Sequence, residues 1–373
     1  MTDFIPVNEP LLDGNEKKYL SECIDTGWIS SEGPFVKRFE EGFASRMGRK
    51  HGIAVTNGTA ALDAAVDSLG IGPGDEVILP TFTIISCVLQ IIRSGAKPVY
   101  VDSDPLTWNM DISQIEERIT PRTKAIMVVH IYGLPVNINP VLGLCQRYEL
   151  KLIEDAAEMI GQNYYGRPCG SFGDISTFSF YPNKHITTGE GGMILTDHDG
   201  LAEQCRELRN LCFQSGKRFV HERLGWNLRM TNLQAALGLA QLEKLEKFVL
   251  KKRSIGKLYN ELLKDISGIQ LPLEQTNYAD NIYWVFGIVL DKSLGMNAEK
   301  AMKRLAASGV GTRPFFYPLH LQPVLKNKGI LVDQTFPVSE NLAEQGLYLP
   351  SGLNLSESQI ERVCECLSTI FNR

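Results

Sequence analysis

GIAVTNGTAALDAAVDSLGIGPGDEVILPTFTIISCVLQIIRSGAKPVYVD, residues 52–102, carries the signal that decides the fold. Three short apolar runs, 52–55, 76–80 and 97–102, alternate with two longer segments, 59–70 and 84–95, whose apolar residues recur at helical spacing. Strand and helix in alternation make βαβ units, which predict a mostly parallel sheet with helices on both faces. Turn residues fall where such units need them: Gly72, Pro73 and Gly74 before the second strand, Gly95 after the second helix, and Pro121 before a strand starting near Lys124. The runs AIMVV (125–129) and KLIED (151–155) continue the rhythm. The expected class is α/β.

Beyond Thr231 the pattern changes to one long helical stretch, residues 233–263, with apolar residues three and four apart and Lys and Glu on the other side. A β-like run (283–290), a helix (298–309), a strand ending near Arg313 and a last helix (356–371) follow, a set that fits a smaller α+β domain. The expected division is 1–245 and 246–373.

Composition narrows the function. The 373 residues are 43% hydrophobic and 22% charged, as in globular chains, and the net charge of −5 offers no basic excess for a nucleic-acid backbone. The longest apolar stretch, 82–92, is too short to span a bilayer, and the opening lacks a basic segment followed by an apolar core, so a cytoplasmic protein is expected. Eight scattered cysteines without a CxxC pair indicate reduced thiols and no metal site; Cys364 and Cys366, two apart in a helix, point to different faces.

Three segments carry chemistry. In 51–62 an apolar run meets Asn57, Gly58 and Thr59 and then an Ala-rich helix; Gly58 permits a tight turn, Thr59 can cap the helix, and the first-turn N–H groups form an anion site. In 151–158 Glu154 and Asp155 stand at a strand's carboxyl end, where open α/β sheets assemble ligand sites. In 174–197 Lys184 lies between two strand-like runs, followed by the glycines of GEGG. Each has an ordinary reading: a capped helix, a solvated capping carboxylate, a solvated loop lysine. Taken together, they supply what pyridoxal phosphate requires. N–H groups grip its phosphate, a lysine forms an imine with its aldehyde, and a carboxylate keeps its ring nitrogen protonated.

Through NGTAAL (57–62), GPGDEVILP (72–80), VHIYG (129–133), IEDAAE (153–158), FSFYPNKHITTGEGG (178–192) and WNLRMTNLQAALGLAQLE (226–243), the chain resembles the DegT/DnrJ/EryC1/StrS sugar aminotransferases over almost its whole length. The resemblance implies a type I aminotransferase fold, pyridoxal 5'-phosphate, L-glutamate as donor, and a homodimer with shared active sites. It also implies a nucleotide-sugar acceptor, GDP-4-keto-6-deoxymannose. By the same resemblance Lys184 is the Schiff-base lysine and Asp155 the partner of the ring nitrogen. Gly58, Thr59 and Ser179 hold the phosphate, Asn227 reaches it from the other subunit, and Glu158 stands beside the ring. Tyr317 and His320 border the sugar, with Arg313 as a phosphate or carboxylate contact.

One departure is Ile84, where relatives usually carry an aromatic residue that stacks on the ring, so aliphatic contact is expected in place of stacking; Phe82, two residues earlier on the same side of an extended segment, is a further candidate contact. Some family members that remove a hydroxyl have histidine in place of the lysine. Here the lysine is present, and His185 after it reads as a neighbour, since adjacent side chains in extended chain point apart. His130 fits either a cofactor contact or a satisfied buried histidine, and Trp28 reads as a core or interface residue. Rival readings are a transaminase for another UDP- or dTDP-ketosugar, a sugar dehydratase, and a non-catalytic regulatory protein. A dehydrogenase is discounted because no GxGxxG follows a strand and opens a helix.

Overall fold

The computed structural model describes residues 4–213, 219–330 and 334–371. Two helices, α1 (Glu16–Thr26) and α2 (Pro34–Arg46), precede the expected alternation: β1 (His51–Val55), α3 (Gly58–Ser68), β2 (Glu76–Pro80), α4 (Ser86–Arg93), β3 (Lys97–Val101), β4 (Thr123–Val129), α5 (Ile138–Tyr148) and β5 (Lys151–Asp155). A hairpin of β6 (Asn163–Tyr164) and β7 (Arg167–Pro168) leads to β8 (Ile175–Ser179), β9 (Gly192–Thr196) and α6 (Asp199–Arg209). The large sheet has the order β1-β9-β8-β5-β4-β2-β3. Within it β9 runs against its neighbours β1 and β8, while the β8-β5-β4-β2-β3 pairs are parallel.

Successive side chains of these strands enter opposite layers. Ile78, Ile126 and Val128 join Phe43 and Phe178 in one core, whereas Val77, Leu79 and Met127 join Ala61, Ala64 and Val88 in the other. Both faces being covered, the strands read as continuous apolar runs.

The stretch expected as one helix is two, α7 (Asn232–Leu242) and α8 (Leu245–Leu263), broken at Glu243 and Lys244. The break has a packing reason. Residues of α7 such as Ala235 and Ala236 and the first turn of α8 (Leu245, Phe248, Val249) sit in the first core, while Ile255, Tyr259 and Leu263 reach a third apolar cluster. That cluster underlies a second sheet of β10 (Ile269–Gln270), β11 (Phe286–Leu290), β12 (Arg313–Pro314) and β13 (Gly346–Leu349), in the antiparallel order β10-β11-β13-β12. Around it lie α9 (Ala298–Ala307), α11 (Pro337–Gln345) and α12 (Glu357–Phe371), while α10 (Pro323–Asn327) puts Leu325 into the second core of the large sheet. Ile5, bridged to Val310, packs in the third cluster as well.

Candidate active site

The carboxyl ends of β4, β5 and β8 and the start of α3 open on one cavity of about 770 Å³. Strand alternation sorts the two acids at the end of β5. Glu154, fully buried, turns to the loop 170–173: Oε1 accepts from Gly170 N (2.5 Å) and His130 Nε2 (3.1 Å), and Oε2 from Phe172 N (2.9 Å) and Gly173 N (3.0 Å). Those donors hold its carboxyl below the usual range despite burial. Asp155 turns the other way, lining the cavity at 4% exposure, with Ala157 N donating to Oδ1 (3.0 Å) and Cys87 Sγ to Oδ2 (3.4 Å). Burial pushes its carboxyl up, so a cationic partner would return it to the charged form. The solvated-cap reading of this acid does not hold.

At α3 the capping residue is Asn57 and not Thr59: its Oδ1 accepts from Ala60 N at 2.8 Å. Thr59 is thereby inside the first turn, where its N–H and that of Gly58 precede the helix's own hydrogen-bond ladder. Gly58 lies so close to β8 that an added Cβ would come within 2.9 Å of Ser179 Cβ. Antiparallel pairing of Ser179 with Gly192 brings the ends of β8 and β9 together, and the intervening chain carries Lys184 over the sheet edge.

The Lys184 side chain is 10% exposed, its Nζ 3.9 Å from Glu158 Oε1 and 3.8 Å from the centroid of the Trp284 ring. Burial lowers its pKa, opposed by Glu158 and Asp155. Burial also raises the Glu158 carboxyl to about 8, while Oε2 accepts from Tyr132 N at 2.7 Å. Burial thus disfavours the charged form of both groups.

Gly58, Thr59, Asp155, Glu158, Ser179 and Lys184 thus share one cavity. The remaining candidates are not brought to it within this chain. Asn227 is exposed and outside the lining, although its neighbour Leu228 belongs to it. Tyr317 is half exposed outside the wall, and Arg313 is exposed on β12, in register with Tyr348, which does line the cavity. His320 points inward, its Nδ1 2.7 Å from Thr81 Oγ1 and its Nε2 3.2 Å from Glu340 Oε1, so its ring is committed to tying the chain after β2 to α11.

Ile84 does stand on the cavity wall, half exposed. Phe82 does not replace the missing ring; it is wholly buried against Tyr132, Phe315 and Phe316. His130 is a satisfied interior residue, Nδ1 accepting from Val136 N (3.0 Å) while Nε2 meets Glu154, which resolves its two readings. His185 is buried outside the cavity lining, and burial drives its pKa down to about 3. Trp28 is 50% exposed rather than core. Sequence reasoning passed over Trp284, Tyr348 and Phe316 in the wall; each stands in a short run with apolar neighbours, which reads equally well as strand core. Among the described residues there is no cluster of metal-ligating side chains and no helix long and apolar enough to cross a membrane.

The model of the DegT/DnrJ/EryC1/StrS aminotransferase family matches residues 10–368. The chain belongs to this family. It is 41% identical to a GDP-perosamine synthase of Vibrio cholerae over 99% of both chains, and 42% identical to one of Caulobacter vibrioides over 98% of both. Among solved structures it is similar to the aminotransferase TlmJ from Streptoalloteichus hindustanus, with a TM-score of 0.92 and 31% identity over 99% of both chains. The fold is that of the type I aminotransferases, and the enzyme is a pyridoxal-phosphate-dependent transaminase.

The residues present fit that cofactor. A lysine and a buried aspartate face one cavity, and on its wall the start of α3 lies so close to β8 that a Cβ on Gly58 would meet Ser179, leaving the first N–H groups of the helix open to a phosphate. When bound, pyridoxal phosphate supplies the carbonyl that takes up an amine and a ring that accepts the electron pair of the Cα–H bond.

Proposed function

We propose that this enzyme moves the amino group of L-glutamate to C4 of GDP-4-keto-6-deoxymannose, giving GDP-perosamine. The observation that carries the proposal is identity of 41–42% to two GDP-perosamine synthases across essentially the whole length, over a cavity in which Lys184 and Asp155 stand together. In this reading Lys184 Nζ would be the covalent anchor of the cofactor and, when free, the acid and base that moves the substrate's α-proton. Asp155 would hold the ring nitrogen in its protonated form, and Glu158, kept protonated by burial, would stand beside the ring. Gly58, Thr59 and Ser179 hold the phosphate.

Asn227, outside its own cavity, would reach the phosphate of a second copy, which makes the working unit a homodimer. Arg313, Tyr317 and His320 would then act at the sugar's border, His320 by holding the Thr81 segment and not by direct contact. The chain is read as cytoplasmic. The division near residue 245, at the start of α8, separates the cofactor-holding sheet from the antiparallel one, with Ile5 joining the latter.

Purified protein incubated with glutamate and GDP-4-keto-6-deoxymannose, beside the UDP and dTDP ketosugars, tests this. A GDP-amino sugar and parallel initial-rate lines are expected. Turnover of the UDP or dTDP compounds alone would overturn the acceptor, and absence of a borohydride-fixed cofactor on Lys184 would overturn the mechanism.

A further inference from the structure

Lys184 Nζ is seated between two groups, Glu158 on one side and the face of the Trp284 indole on the other. Trp284 is held at two points, through its indole and through its backbone. Its Nε1–H donates to the carbonyl of Asn183, the residue before Lys184, at 2.8 Å. Its own backbone carbonyl accepts from Lys252 Nζ at 2.9 Å.

Lys252, on α8, is 1% exposed, and its Nζ also donates to the carbonyl of Ser351 at 2.5 Å. A buried amine whose partners are carbonyls is a costly way to fill space. Its position explains it: Trp284 lies just before β11 and Ser351 just after β13, the strand that brings Tyr348 to the cavity. One side chain therefore ties together the ends of two strands that build the aromatic wall.

We propose that Trp284 is a catalytic residue, the seat on which the Lys184 amine rests whenever it is not bound to the cofactor, and that Lys252 is the positioning residue that fixes the seat. This deepens the function given above and rests on Lys184 being the cofactor-bound lysine. An amine on four rotatable bonds would otherwise sample many orientations between its departure and its proton transfer. The π-face confines it and favours its protonated form, which is the form that returns a proton.

The test reads the amine itself. In the full-length protein freed of cofactor, trace acetylation of Lys184 by acetic anhydride is followed by peptide mass spectrometry against pH. Titratable groups near the amine are Asp155 on β5, Glu158 after it, and Cys87 on α4, with Tyr348 of β13 on the same cavity wall and the neighbouring His185 buried outside the lining; none of them is substituted in any variant. Loss of the π-face in Trp284→Leu should lower the midpoint by about one pH unit, and reduce kcat about tenfold with KM for glutamate little changed. Trp284→Phe keeps a face, so its midpoint should stay near wild type. Lys252→Met should shift midpoint and kcat in the direction of Trp284→Leu, and Lys252→Gln, which keeps a donor, should restore both.

Should Trp284→Leu fail to fold, the two Lys252 variants decide. An unmoved midpoint and an unchanged kcat in Trp284→Leu, or a Lys252→Met enzyme altered in melting temperature alone, would overturn the proposal. Borohydride tagging of wild-type Lys184 keeps the cases apart: no tag removes the function itself, whereas a tag with unmoved midpoints removes the seat alone.

Discussion

Exchanging one oxygen of Glu154 for nitrogen, Glu154→Gln, probes what holds the end of β5 in place. The buried carboxylate accepts from two N–H donors on Oε1, His130 and Gly170, and from two on Oε2, Phe172 and Gly173, with Ser176 Oγ at 3.4 Å from the latter oxygen. Whichever oxygen becomes an amide nitrogen, two N–H groups then face another donor. At about 1.5–3 kcal/mol for each bond to a charged acceptor, the loss is about 3–6 kcal/mol, against a total stability of about 5–15 kcal/mol. Urea unfolding of both proteins without cofactor, followed by tryptophan fluorescence, should therefore show a much lower midpoint at similar slope. Because Asp155 is the next residue, the surviving folded fraction should also bind cofactor more weakly. A variant within about 1 kcal/mol of wild type would refute the inference that this carboxylate is the organising acceptor of the 170–173 loop.

Gly58→Ala places a Cβ 2.9 Å from Ser179 Cβ and should weaken cofactor binding about tenfold, a change of about 1.4 kcal/mol; an unaltered absorbance titration would contradict the phosphate assignment. Glu158→Gln mimics the protonated acid that burial favours below about pH 8, so kcat at pH 7 should stay within about threefold of wild type and the two should diverge above pH 8. A hundredfold loss at pH 7 would mean that the carboxylate form works. For His185, neutral down to about pH 3, the folded state binds fewer protons than the unfolded between about 3 and 6.5, so stability falls as pH drops through that window, by at most about 5 kcal/mol. His185→Gln should flatten this acid limb in pH-dependent denaturation, and identical slopes would show that other groups set it.

The large sheet was legible because its signal is local. A buried parallel strand is a short apolar run, a crossover helix is a 3.6-period segment, and the glycines and prolines between them mark the turns. All the strands anticipated between Gly52 and Thr196 are present in β1 to β5, β8 and β9. The break between α7 and α8 was not legible, because amphipathic spacing persists through Glu243 and Lys244. What ends α7 is the need to serve two apolar clusters lying in different directions, a fact of tertiary packing. The capping error at α3 has the same origin: Asn57 and Thr59 are both good capping residues, and the choice depends on where β1 releases the chain.

The site divides along the same line. That Lys184, Asp155 and the helix start at Gly58 meet at one cavity could be anticipated because each follows a strand of the sheet, and strand ends on one edge must converge. That Asp155 rather than Glu154 faces the cavity comes from the family resemblance and not from alternation, which places the two on opposite faces without saying which face holds the cavity; the bonds of Glu154 to the loop at 170–173 agree with it. Trp284 lies a hundred positions from Lys184 in a run that reads as strand core, yet its indole N–H returns to the residue beside that lysine. An active site whose charged members come from one sheet and whose aromatic wall comes from the approach to another is half visible in advance. The half that depends on how the two sheets meet has no periodicity of its own to betray it.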